Sequence, residues 1–232
     1  MSVSNKKNEF AAEGEFDSRT GIVFTKIAVE AATKFYGPIF KRMVSLYTLD
    51  FEARMLKEKP PENIQGLEEV TDYVTTNLER YPRGHCALIY GIFKAESKLQ
   101  GFSGAGAKRA AYSSMKSILE ITGMLNKFVG TTEDAFESCK RSSFIFEVTK
   151  IVIPMRLTMG DNNQLNLMLH DCPYKDACIS LVKEKLSRLT GGWECVSLML
   201  FNAGLEIITK KTFDYKLDEF NTPDCTGKIW EA

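Results

Sequence analysis

The stretch MGDNNQLNLMLHDCPY, residues 159–174, decides the fold class. Leu165, Leu167 and Leu169 share one parity while Asn166 and His170 fall on the other, the period-two pattern of a strand with one buried face. Met159-Gly-Asp-Asn-Asn163 ahead of it is a run of turn formers, because Gly and Asn tolerate the backbone conformations a tight reversal needs. The strand is therefore expected to be half of an antiparallel hairpin. Pro173 leaves the strand and suits the first turn of a helix. Ala177, Leu181, Val182, Leu186 and Leu189 then carry a helical period that Gly191-Gly192 closes.

Outward from this stretch the two periods segregate. Downstream, Cys195–Ala203 reads as a buried helix stopped by Gly204, and Phe213, Tyr215, Leu217 and Ile229-Trp230 as terminal strands. Just upstream, Phe144, Phe146 and Val148 share one parity and Ile151–Ile153 is β-branched, so both are expected in the same sheet. Before Thr131 the period is helical. Val23, Phe24, Ile27, Ala28, Ala31 and Phe35 form one stripe, broken at Gly37-Pro38, and Ile39, Phe40, Met43, Val44 and Tyr47 form the next. Leu67, Val70, Val74 and Leu78 give another helix, followed by segments at 84–99 and from the Gly-rich 101–109 onward. The expectation is an α+β fold with an N-terminal helical layer and a C-terminal antiparallel sheet flanked by helices. Residues 1–20 read as a disordered tail and 21–83 as a helical region, with the α+β domain over 84–232.

Composition removes some function classes. The 232 residues carry 30 Lys and Arg against 30 Asp and Glu, with none of the basic excess of a nonspecific nucleic-acid binder. No apolar run approaches the roughly 20 residues a bilayer span needs, and the N-terminus lacks a secretory signal, so a cytoplasmic, reducing location is expected. In that setting the six cysteines read as thiols, metal ligands or redox switches rather than a disulfide frame.

Four of them, Cys172, Cys178, Cys195 and Cys225, follow the spacing C-x5-C-x16-C-x29-C in the last third. They read either as a convergent zinc site or as small buried hydrophobes. Cys172 sits beside Pro173, where a helix N-terminus would lower its pKa, and His170 two residues away on the same strand face would be its base. Cys172 and His170 are thus a candidate nucleophile pair. His85 has no partner at metal-ligand spacing and reads as a surface or satisfied core residue; Glu96 lies in a helix that looks largely buried. Gly101–Arg109 reads as an anion cradle or as a close-packed loop-to-helix joint. Phe144, Phe146, Met168 and Met199 would either line a greasy cavity or fill a core.

The second half, Gly84–Ala232, resembles the 4-vinyl-reductase-like domain family, often called hydrocarbon-binding proteins in archaea. The features carrying the resemblance are the Gly101–Arg109 helix entry, the order strand, Cys172-Pro-Tyr174, helix, Cys195, and the terminal strands around Pro223-Asp-Cys225-Thr-Gly-Lys-Ile-Trp230. The resemblance implies a helix-flanked antiparallel sheet related in fold to vesicle-tethering subunits, a homodimer, a small apolar or aromatic ligand, and in some members a cysteine-rich zinc site or a redox-responsive regulator. Thr222-Pro-Asp224 departs from the family's usual Gly-Asp before the final cysteine. The Cys-Pro-Tyr, Cys, Cys order is also similar to that of small hydrolases acting on cyclic amino-acid derivatives. Three readings follow: a binding or sensing protein with a cysteine site, a cysteine-dependent hydrolase, and a structural dimeric module.

Overall fold

The computed structural model describes residues 9–100, 104–184, 195–221 and 224–232; the side chains of residues 100, 104–111 and 114 are outside that description. In chain order the elements are β1 (Glu9–Ala12), α1 (Ser18–Tyr36), α2 (Pro38–Leu56), α3 (Leu67–Thr76), α4 (His85–Gln100), α5 (Gly104–Thr122), α6 (Ala135–Val148), β2 (Met155–Met159), β3 (Leu165–Leu169), α7 (Lys175–Lys183), α8 (Val196–Thr209), β4 (Phe213–Phe220) and β5 (Cys225–Glu231). The expected α+β class and antiparallel sheet are both present. The chain forms two compact units. A sheet unit takes Met1–Phe16, Leu119–Cys172 and Leu189–Ala232, and a helical unit takes Asp17–Ile118 and Pro173–Arg188.

In the sheet unit the strand order is β1-β2-β3-β5-β4, every neighbouring pair antiparallel. The β2–β3 hairpin is where the sequence places it. Gly160 donates to the Gln164 carbonyl, and Asn162 and Asn163 both take positive φ, which Asn tolerates better than most residues. Leu165, Leu167 and Leu169 are buried, and Asn166 and Met168 face outward. Against the inner face lies α8, every residue of which is buried; α6 packs against α8, and Phe146 meets Phe201 edge-on at 5.5 Å between ring centroids.

Four local expectations are corrected here. Phe144, Phe146 and Val148 belong to helix α6, not to a strand. Asp134 caps it by accepting the Glu137 N–H at 2.8 Å, and the buried stripe runs through Phe136, Cys139, Ser143 and Phe146. Alternate residues misled because Phe144 and Val148, one turn apart, share the solvent side at 53% and 62% exposure while Phe146 points inward. Ile151–Ile153 is buried but precedes the strand, since Lys150 at φ 62° turns the chain out of α6 and β2 begins only at Met155. Gly204 does not stop α8, which continues to Thr209; a Cβ there would stand 2.5 Å from Ser142 Oγ, so this glycine permits close approach to α6. Residues 9–12 of the expected tail form edge strand β1.

The helical unit begins with Asp17, whose carboxylate caps α1 through the Arg19 and Thr20 N–H groups at 3.2 and 3.1 Å. Gly37, at φ 80°, separates α1 from α2 and Pro38 occupies the first turn of α2, as the interruption in the sequence predicts. Helix α4 packs on α1, α2 and α7. Glu184 just past α7 gathers Arg54 at 3.0 Å, Lys94 at 3.0 Å and the Tyr90 hydroxyl at 2.6 Å. Among the described residues no helix is long and apolar enough to cross a membrane. Residues 101–103 of the Gly-rich segment, and Leu186, Leu189 and Gly191-Gly192, lie outside the described residues.

Candidate functional site

Three of the four cysteines singled out by spacing lie in the sheet unit, near enough to influence one another electrostatically. Cys225 opens β5 and pairs in register with Leu169, the last residue of β3. Cys172 follows β3 after Asp171, whose φ of 39° turns the chain out of the strand. Cys195 is the N-cap residue of α8, at the helix start that Ser197 and Leu198 continue. All three thiols are buried. Cys172 Sγ lies 3.4 Å from Ser197 Oγ in the first turn of α8, so two of the sulfurs share one helix start.

Electrostatics fix the protonation of this centre. Burial pushes the Cys195 thiol well up, and the sulfurs of Cys172 and Cys225 push in the same direction by repelling a thiolate. The backbone N–H groups of Leu198 and Ser197 at the helix start oppose this and lose, because removing charge from water is the larger effect. Cys225 is pushed up to about 11, first by burial and then by the Cys172 sulfur, against a smaller lowering by the backbone at Asn221. At neutral pH the Cys195 and Cys225 thiols are thus protonated.

The structure places the other candidates elsewhere. Cys178 is buried on α7 in the helical unit. Helix α7 starts at Lys175 with Tyr174 as its cap, so Cys172 is three residues short of it; the thiol at a helix N-cap is that of Cys195. Pro173 and Tyr174 spend their residues on the turn before the helix, which the reading of Pro173 as the first helical residue overlooked. His170 lies beyond the end of β3, its Nδ1 3.3 Å from Asp224 Oδ1, whereas the Cys172 sulfur meets Ser197. Phe146 and Met199 are core residues, but Phe144 is 53% and Met168 39% exposed, so these four do not share one lining.

His85 is a satisfied core residue of the helical unit. Its Nε2 donates to the Pro173 carbonyl at 2.9 Å, leaving Nδ1 to face the Ser18 hydroxyl at 2.9 Å. Burial lowers its pKa to about 4, and the neutral ring stands edge-on to Tyr174. Cys86 donates to the same Pro173 carbonyl at 3.1 Å. The sequence offered no sign of this double anchor, because residues 88 positions apart supply it.

Glu52 was missed altogether. It is 0% exposed on α2, and neither carboxylate oxygen has a hydrogen-bond partner. Desolvation raises its pKa to about 8. Glu96 is also buried, on α4.

Among the described residues no group of three or more His, Cys, Asp or Glu side chains is set at metal-holding distances. The donor type at Cys172, Cys195 and Cys225 is nonetheless that of a soft-metal site: three sulfurs, buried, with a helix start between them. No family model, curated protein or solved structure matches the chain.

Proposed function

We propose that the chain is a sensing protein whose signal is a thiophilic cation, zinc being the leading case, captured by Cys172, Cys195 and Cys225. The observation that carries this reading is the convergence of three buried thiols whose negative forms repel one another. Cys195 and Cys225, which burial and like charge keep protonated, are poor nucleophiles at neutral pH. The same repulsion makes the site responsive to a divalent ion, which supplies the missing positive charge and releases protons from the sulfurs as it binds. Sulfurs spaced more widely than a bound metal requires suit a sensor, since capture then has to pull the end of β3, the start of α8 and the start of β5 together.

Cobalt(II) titration of the metal-free, reduced full chain tests this. A saturable thiolate-to-cobalt absorbance at one equivalent, abolished by one equivalent of zinc, is expected. Cys195→Ser should weaken binding at least ~100-fold, beyond the range typical of losing an outer-shell contact. Cys178→Ser should leave it unchanged, with circular dichroism confirming that both variants fold. Affinity should rise with pH, because protons leave Cys195 and Cys225 on binding. Absence of a cobalt band, or equal losses in the Cys178 and Cys195 variants, would sink the proposal.

A further inference from the structure

The sheet unit also holds a concavity, unrelated to the thiols. It encloses about 480 Å³ among four segments: the loop entering α6, the β2–β3 turn, the start of β4 and the end of β5. A cavity of this size falls in the range that takes a small organic ligand. Its charge is one-sided. Glu133, Asp134, Asp161 and Glu231 contribute to its wall against a single cation, Lys211.

Two of those carboxylates are already engaged. Asp134 accepts the Glu137 N–H at 2.8 Å as the cap of α6, and Glu231 pairs with Lys211 at 3.2 Å. Glu133 and Asp161 have no ion-pair partner among the described residues. Asp161 is fixed in place by the hairpin turn, where Asn162 and Asn163 both hold positive φ. Trp230, with Met159 and Phe213, makes the apolar part of the wall. Trp is the side chain with the strongest affinity for an organic cation, and apolar wall suits methylenes better than it suits water.

We infer that this cavity is a binding site for a small aliphatic polyamine, whose ammonium groups meet Glu133 and Asp161 and whose methylenes lie along Trp230 and Met159. A bare metal ion is the poorer fit, because the carboxylates are dispersed around the wall and form no metal-holding group among the described residues. Lys211 acts as the internal competitor: it occupies Glu231, which would otherwise be a further anchor.

Isothermal titration with spermidine at low ionic strength tests the site on the full chain. One saturable site per chain is expected, weakening as salt screens the exposed carboxylates. The double variant Glu133→Gln, Asp161→Asn should lose about tenfold in affinity, and Lys211→Ala should tighten binding about two- to threefold by freeing Glu231. Opposite signs from two surface changes cannot come from damage to the fold. Trp230→Leu should weaken binding with little change in its salt dependence. No saturable binding, or an affinity unmoved by the Glu133/Asp161 and Lys211 variants, would overturn the assignment.

Discussion

Between pH 6.5 and 8 the helical unit is expected to lose about 2 kcal/mol of stability, and Glu52→Gln to abolish that loss. The ordinary pKa of a glutamate is 4.5, and burial without a partner raises that of Glu52 to about 8. Below pH 4.5 the group is neutral whether the chain is folded or not, so it costs no more than a buried acid. Above 4.5 the unfolded chain ionises and the folded one does not. Stability therefore falls by about 1.4 kcal/mol per pH unit until the folded group ionises near pH 8.

His85 acts in the opposite sense over part of this range. Its pKa is lowered from 6.5 to about 4, so the unfolded chain takes up a proton first as the pH drops. The stability due to the neutral ring is fully present above pH 6.5 and is lost on the way down to about 4. Between 4.5 and 6.5 the two slopes cancel and the profile is flat; above 6.5 only the Glu52 slope remains. The groups facing Glu52 electrostatically, Tyr73 and Tyr81, are both pushed upward and stay protonated throughout. Carboxylates held low by partners, such as Asp17, Glu69 and Glu184, titrate below the window. Urea unfolding of the wild-type chain and of Glu52→Gln at intervals from pH 4.5 to 8.5 checks this. The variant should rise to pH 6.5 and stay level; a parallel fall above 6.5 in both proteins would show that Glu52 is not the cause.

The sequence made some of this visible and hid the rest for physical reasons. The β2–β3 hairpin was legible because its information is local: period two on Leu165, Leu167 and Leu169, and turn formers from Gly160 to Asn163. Strand β1 was not, because four residues, only the last of them buried, become a strand only by pairing with β2, almost 150 positions away. Helix α6 was misread because a one-turn repeat of exposed Phe144 and Val148 around buried Phe146 imitates alternation. Of the four cysteines that spacing singled out, Cys172, Cys195 and Cys225 lie in the sheet unit and Cys178 in the helical unit. The sequence pattern set Cys172 on the dipole of α7, when the thiol at a helix start is Cys195 on α8. Glu52 looks in sequence like any helix glutamate. Its burial is imposed by helices packed around α2, which no pattern within α2 announces.

The same helix packing makes Gly91→Ala the most damaging small substitution expected in the helical unit. In an exposed helix this change gains about 1 kcal/mol, since alanine loses less backbone freedom than glycine. Gly91, however, is where α4 crosses α2. A Cβ there would stand 2.4 Å from Thr48 Oγ1, 2.8 Å from the Val44 carbonyl oxygen and 3.2 Å from the Thr48 nitrogen. The first contact could be relieved by a side chain, but the second is backbone in mid-helix and cannot yield without parting the helices. Loosened with them would be Phe40, Val44, Phe51 and Leu88, all fully buried. Overpacking of this kind costs about 1–3 kcal/mol, and with backbone in the way the upper end applies, so a net loss of ~2 kcal/mol is expected after the propensity gain, or about 4–8 °C in Tm. Thr48→Ala separates the two contacts. Its hydroxyl is buried with no hydrogen-bond partner, so removing it alone should cost little. Combined with Gly91→Ala it should recover only part of the loss, because the Val44 carbonyl still stands in the way. Full recovery would place the whole conflict on the hydroxyl, and a stabilised Gly91→Ala would mean that α2 and α4 do not approach this closely in solution.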